Sequence, residues 1–352
     1  MKQLPTILDL IDYGRQTGCS DIHLTADLPP VFRSNGVLVK GPFEMSKREI
    51  GEMIIGMLSE MNREKIKRGE DADFTFVTPE GLRQRVNVYR QQNELCAAVR
   101  LLNDTIPTFE ELGLPPIIRK LAAEPRGLIL ITGPTGSGKS TTLAAMIDYI
   151  NVNFAKHIIT IEDPVEYRHY HKLSMIHQRE VGVDVSSFAD ALRSSLREDP
   201  DVILVGEMRD YETISAAVTA AETGHLVLST LHTIGAANTV DRIIDVFPPH
   251  SQQQIRTQLA STLKGVVTQQ LVPLASGEGR MAALEVMTGT DAVLNLIREN
   301  KTHQLSSAMQ TGSRDGMNTL NSHLAKLVKE GKIGFDTGLQ WSSDKNEFNQ
   351  YF

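Results

Sequence analysis

Apolar residues Leu4, Ile7, Leu8 and Ile11 recur at the spacing of one helical face and predict an amphipathic helix at the start of the chain. The period then shortens to two. Stretches 30–33 and 36–39, split by Ser34 and Asn35, read as a hairpin, and 73–77 with 82–89 as a second one turning through 78–81. From 128 onward the pattern changes again. Short apolar runs at 128–132, 158–161, 202–205 and 226–229 alternate with helical stretches, the mark of parallel strands buried on both faces. Residues 292–331 read as helical, and the last dozen, with Trp341, as loose. No internal repeat or low-complexity segment interrupts this order.

Between the two patterned regions, 103–116 carries prolines and a glycine and reads as a linker. The expected division is therefore a small α/β domain at 1–102, a linker at 103–116, an α/β domain at 117–340 and a tail at 341–352.

Composition narrows the function classes. A chain of 352 residues with 41% hydrophobic and 22% charged residues is an ordinary globular protein with room for two cores. Its formal net charge of -7 speaks against a dedicated nucleic-acid binder, so no direct nucleic-acid partner is expected. Cys19 and Cys96 match no metal-ligand spacing and read as reduced thiols. The N-terminal stretch lacks a signal-peptide core, and no apolar run approaches the roughly 20 residues of a membrane span. The expectation is a cytoplasmic protein that meets a membrane only through partners.

The strongest chemical signal is Gly133-Pro134-Thr135-Gly136-Ser137-Gly138-Lys139-Ser140, a phosphate-loop pattern between an apolar strand and a helix that opens at Thr141. Its glycines let consecutive N–H groups turn toward phosphate oxygens, and the helix N-terminus adds its dipole. Lys139 is placed to reach the β- and γ-phosphates, and the Ser140 hydroxyl to hold Mg²⁺. The expected ligands are ATP and Mg²⁺. Hydrolysis further requires a group that orients water. The strand at 202–205 is followed by Gly206 and Glu207, and a parallel neighbour of the loop strand would bring Glu207 to the γ-phosphate. Position 206 is a glycine where many phosphate-loop enzymes carry a metal-binding aspartate, so another acid is needed on the metal side. The segment 160–166 offers Glu162, Asp163 and Glu166; Glu166 is preferred, the other two being candidates for structural roles. His232 ends the next strand, where open α/β sheets collect their ligands, and could sense the γ-phosphate. His169, His171 and His177 lack a fourth ligand for zinc and read as a solvated loop.

Four segments in fixed order, GPTGSGKST, TIEDPVEY, LREDPDVILVGEMRD and TGHLVLSTLHT, resemble the Walker A, Asp box, Walker B and His box of the secretion ATPase superfamily. That superfamily powers type II secretion and type IV pili. Within it the chain resembles the pilus-retraction branch, through its compact N-terminal domain opening on 18–24 and through 292–299, AVLNLIRE. The branch motif differs at Val293 and Leu294, and its arginine at 294 is missing, which moves the weight to Arg298 and Glu299. The resemblance implies a PAS-like N-terminal domain, a RecA-like ATPase domain with a helical C-terminal tail, and a homohexameric ring. It implies an inner-membrane pilus platform protein as partner and a site at the inner face of the membrane. It also implies that arginines of the N-terminal domain complete the ATP site. Arg83 and Arg85 fall on one face of their strand, and either could supply that charge. Assembly and secretion ATPases are the alternative within the superfamily, and a RecA-like nucleic-acid translocase the alternative outside it.

Overall fold

The computed structural model describes residues 4–34, 36–102 and 105–352. The chain divides into two compact units. One comprises Met1–Thr105 with Pro164–Arg168, the other Ile106–Asp163 with His169–Phe352.

The first unit contains, in order, α1 (Ile7–Gln16), β1 (Cys19–Leu24), β2 (Val31–Ser34), β3 (Val37–Lys40), α2 (Lys47–Met57), α3 (Glu60–Lys67), β4 (Ala72–Val77), β5 (Arg83–Gln91) and β6 (Glu94–Leu101). Both hairpins form as the alternation predicts, although Asn35 of the first turn lies outside the described residues. The second turn closes through the Gly81 amide donating to Thr78 O at 2.9 Å. The strands pair antiparallel in the order β3-β2-β1-β6-β5-β4. The opening helix starts on a capping box, in which the Thr6 hydroxyl accepts from the Asp9 amide and the Asp9 carboxylate from the Thr6 amide. Leu10 and Ile11 of α1, Ile50 and Ile54 of α2 and Ile66 of α3 close one core with Ile22, Val86, Val88 and Val99 of the sheet. Cys96 is buried and Cys19 half-buried, and both are free thiols.

The second unit contains α4 (Pro116–Ala122), β7 (Gly127–Thr132), α5 (Lys139–Asn153), β8 (His157–Glu162), β9 (Met175–Glu180), α6 (Phe188–Ser195), β10 (Val202–Val205), α7 (Tyr211–Glu222), β11 (Leu226–Leu231) and α8 (Ala236–Asp245). It continues through α9 (Gln252–Thr262), β12 (Leu263–Pro273), β13 (Arg280–Thr288), α10 (Asp291–Arg298), α11 (Leu305–Thr311), α12 (Leu320–Lys329), α13 (Phe335–Trp341) and α14 (Lys345–Asn349). The seven-stranded sheet runs β13-β12-β7-β11-β10-β8-β9. Every pairing from β12 to β9 is parallel, and β13 closes the edge antiparallel to β12.

Alternation along β7 sends Leu128 and Leu130 to one apolar layer, with Ile214, Val240 and Leu259 of the helices. Ile129 and Ile131 go to the opposite layer, with Ile118, Met146 and Ile147. Burial on both faces explains why these strands read as continuous apolar runs. Among the described residues, no helix is long and apolar enough to cross a membrane.

Two expectations are corrected. Phe109, inside the stretch read as a linker, is buried against α4 and α5, and the second unit already begins at Ile106. The last dozen residues are not loose. Phe348 is fully buried with Val272, Leu324 and Ile333, and Trp341 and Tyr351 pack on the same cluster. A short, mostly polar segment anchored by one buried aromatic orders where its composition alone suggests fraying.

Outside the site, the second unit holds one buried histidine, His169, and one half-buried histidine, His323. His323 Nδ1 accepts the Leu284 amide at 2.9 Å, and burial lowers its pKa to about 4, with Lys326 acting in the same direction. Burial likewise lowers His169 to about 4, which corrects the solvated reading of that residue. Below the ordinary value of 6.5 the unfolded chain binds these protons and the folded chain does not. The stability they contribute is therefore intact above 6.5 and lost as the pH falls toward 4, at about 3 kcal/mol for each ring. Glu285, raised from its ordinary 4.5 by burial, runs in the opposite direction. Thermal melts between pH 7 and 5 should show an acid-dependent loss that His323→Asn, whose Oδ1 can accept the Leu284 amide without titrating, partly removes. Superimposable slopes for the two proteins would refute the assignment to His323.

Candidate functional site: a phosphate loop and neighbouring strand ends

The loop between β7 and α5 is built by backbone conformation. Gly133, Gly136 and Gly138 have φ of 137°, 78° and 89°, and Gly138 caps α5 from the left-handed region. Gly133 also sits where no side chain fits, because a Cβ there would lie 2.2 Å from Gln269 O. The Lys139 ammonium is buried and donates to Gly133 O at 2.9 Å and Pro134 O at 3.0 Å, inside the concavity the glycines make. Ser140 is exposed on the first turn of α5, Thr135 is exposed at the loop crest, and Thr141 is half-buried. Ser137 Oγ is buried with no hydrogen-bond partner among the described residues.

Parallel pairing places β11 between β7 and β10, so three strands deliver their C-terminal ends to one edge of the sheet. The segment after β10 is stitched to β11. Thr230 Oγ1 donates to Gly206 O at 2.6 Å, and the Met208 amide donates to Thr230 O at 3.0 Å. This brings Glu207 and His232 together, with Nε2 of His232 3.5 Å from Oε2 of Glu207. The same oxygen meets Nε of Arg209 at 2.8 Å. Arg209 did not stand out in the sequence, although it lies two residues beyond Glu207. Gly206 has a local reason. A Cβ at this position would sit 3.2 Å from Ile161 O and 3.4 Å from Glu162 Cα, a tight fit that would require the β8 backbone to give by a few tenths of an ångström.

The acidic segment divides. Glu162 Oε1 accepts from Thr160 Oγ1 at 2.7 Å and from Gln178 Nε2 at 3.1 Å, a carboxylate tied into its own sheet. Glu166 is half-buried and belongs to the first unit with Pro164–Arg168. Arg83 and Arg85 lie in that unit on one face of β5, alternating with buried Gln84 and Val86. Arg85 grips Asp73 with two nitrogens, Nε to Oδ1 at 3.2 Å and Nη2 to Oδ2 at 2.7 Å.

On α10, Val293 and Ile297 are buried while Arg298 and Glu299 are exposed. Glu299 bonds Lys301 at 2.7 Å and Asn295 at 3.1 Å, so its closest cation is Lys301, not the neighbouring Arg298. His157 Nε2 lies 3.0 Å from His177 Nδ1, but no group of three or more metal-ligating side chains forms among the described residues.

Gln269 likewise did not stand out in the sequence. It lies on β12 beside the phosphate loop and touches it at both ends. A visible signal existed, since two adjacent amides, Gln269 and Gln270, lie within a mostly apolar strand, and buried amides need partners.

Comparison with known proteins agrees with this architecture. The family described as Type II/IV secretion system protein matches residues 6–332. The type IV pilus retraction ATPase PilT of Pseudomonas aeruginosa is 46% identical over 330 residues, covering 93% of this chain and 95% of that protein. A twitching motility protein of Neisseria gonorrhoeae is 50% identical over 82% of this chain and 78% of its own length. The crystal structure of the pilus retraction motor PilT with bound ADP superposes with a TM-score of 0.91 at 46% identity, covering 98% of this chain and 99% of that one. The expected fold, a PAS-like domain followed by a RecA-like domain with a helical tail, is thus the fold of a nucleotide-binding motor. With its phosphate loop intact, this chain belongs to the Type II/IV secretion system protein family and is an ATPase of that family.

Proposed function

We propose that this protein is a Mg-ATP-driven motor that retracts type IV pili, working as a homohexameric ring on the cytoplasmic side of an inner-membrane platform protein. The observation that carries the reading is the arrangement of Lys139, Glu207 and His232 at the C-terminal ends of neighbouring parallel strands, in a chain similar along its length to PilT. In this reading 1–102 is the N-terminal domain and 117–340 the ATPase domain, with Phe109 of 103–116 and Phe348 of 341–352 packed into the ATPase domain's cores.

Each residue then has a task. Lys139 exchanges the carbonyls of Gly133 and Pro134 for phosphate oxygens, and the backbone from Gly133 to Thr141 wraps the phosphates. The orphaned Ser137 hydroxyl suits the same ligand. The exposed Ser140 hydroxyl and the Glu166 carboxylate are hard oxygen donors of the kind that share Mg²⁺ with phosphates and water. When bound, that ion neutralises charge on the phosphate oxygens. Glu207 orients the attacking water and takes its proton, His232 senses the γ-phosphate beside it, and Arg83 or Arg85 adds positive charge from the N-terminal domain.

The direction of force is tested in cells. Deleting the gene should leave cells over-piliated and unable to move on surfaces, whereas bald cells would identify an extension motor. Alanine at both Arg298 and Glu299, which stand exposed on a helix fixed by buried Val293 and Ile297, should reproduce the deletion while keeping ATPase activity within about twofold. Normal motility in that double variant would remove α10 from the transmission path.

A further inference from the structure

We propose that Gln269 is a positioning residue that sets the curvature of the phosphate loop, and so the affinity of the site for nucleotide. The inference rests on the nucleotide reading above. Gln269 is buried on β12, and its amide group spans the loop. Its Oε1 accepts from the Thr142 hydroxyl at 2.8 Å, on the first turns of α5. Its Nε2 donates to Ser137 O at 2.8 Å, at the loop's C-terminal end. Its own backbone carbonyl lies against Gly133, at the N-terminal end, and its Nε2 lies where a Cβ of Gly138 would fall, 2.7 Å away. Beside it on β12, Thr268 Oγ1 meets Thr132 Oγ1 at 2.9 Å, so the strand is pinned to β7 just where the loop departs.

One residue thus fixes where the loop starts, where it ends and where the following helix begins. The bond to Ser137 O matters most. It holds a carbonyl toward β12, and a peptide turned that way directs its other face, the Gly138 N–H, away from the strand. A phosphate loop binds through N–H groups aimed into its concavity. Without the Nε2 donor, Ser137 O is a buried carbonyl with nothing to hold it, and the peptide can rotate. Loop residues Ser137 and Gly138 then lose their fixed orientation while Lys139, carried by α5, keeps its place. The defect should therefore appear in ground-state binding before it appears in turnover.

Two variants separate this role from simple packing. Gln269→Met removes both side-chain bonds at similar volume, and Gln269→Glu retains an acceptor for Thr142 but cannot donate to Ser137 O as a carboxylate. Each is compared with the unmodified protein by circular dichroism and melting, by dissociation constants for ADP and a fluorescent ADP analogue, and by KM and kcat for ATP. The expected result is a rise in Kd and KM of about tenfold to a hundredfold in both variants, with kcat changed by less than about threefold. Gln269→Glu is the nearly isosteric variant and keeps the assay interpretable should Gln269→Met unfold. Unchanged Kd and KM in a folded variant, even with a lowered melting temperature, would overturn the proposal and leave Gln269 a packing residue. Failure of the unmodified protein to bind nucleotide would overturn the functional reading itself and remove the role with it, a failure visible before any variant is made.

Discussion

Glu207→Gln should retain nucleotide and lose turnover, with kcat for ATP falling by about 10²–10⁴-fold while Kd for ATP stays within a few-fold. Arg209 Nε and His232 Nε2 both approach Oε2 of Glu207, so Oε1 is the oxygen that remains to receive a water. A glutamine keeps the shape but has only one acceptor. Its amide nitrogen cannot face the Arg209 guanidinium, so the carbonyl turns to Arg209 and the NH₂ group replaces Oε1. The water then meets a donor where it needs an acceptor, and no group is present to take its proton. Binding should be spared because, in the proposed function, Lys139 and the loop amides contact phosphate and residue 207 does not. Steady-state hydrolysis and equilibrium binding on the same preparation decide it. A Glu207→Gln protein that turns over normally would place the water-orienting group elsewhere.

The legibility of this site in the sequence follows physical lines. The phosphate loop was readable because its chemistry is local: glycines, lysine and serine lie within one turn, and the flanking strand and helix are strongly patterned. The positions of Glu207 and His232 were readable because buried parallel strands end at the same edge, so a polar residue just past an apolar run is placed by topology. Arg209 and Gln269 were not singled out for the opposite reason. Their partners are remote in sequence or set by a rotamer, as with the 132 residues that separate Gln269 from Ser137. The strands β9, β12 and β13 escaped for a related cause. Residues 175–180 are mostly polar on an edge strand, and 263–273 carries amides whose burial only the loop beside them explains. Gly206 departs from the common Walker B pattern, and the β8 backbone beside it leaves little room for a side chain.

Gly133→Ala should abolish nucleotide binding and destabilise the ATPase domain, and Gly182→Ala should do neither to a comparable degree. Both glycines have positive φ, 137° and 82°. Alanine therefore pays a conformational cost at each, of about 1–3 kcal/mol. They differ in what the new methyl meets. At Gly182 nothing lies within 4 Å. At Gly133 it would stand 2.2 Å from Gln269 O and 2.8 Å from Ser137 Oγ. The first of these is backbone, in the interior of β12, which is paired to β7 on one side and β13 on the other. It cannot turn aside as a side chain would. Either the β12–β7 pairing yields or the loop moves off the strand, and overpacking of this kind adds about 1–3 kcal/mol or more. Whichever gives way, the carbonyls that hold Lys139 and the peptide that Gln269 holds are displaced together. Melting with and without ADP reads both effects. Gly182→Ala should melt a few degrees lower and still gain stability from ADP, whereas Gly133→Ala should melt lower again and gain nothing. Protection of Gly133→Ala by ADP at the unmodified protein's concentration dependence would show that β12 does not confine the loop.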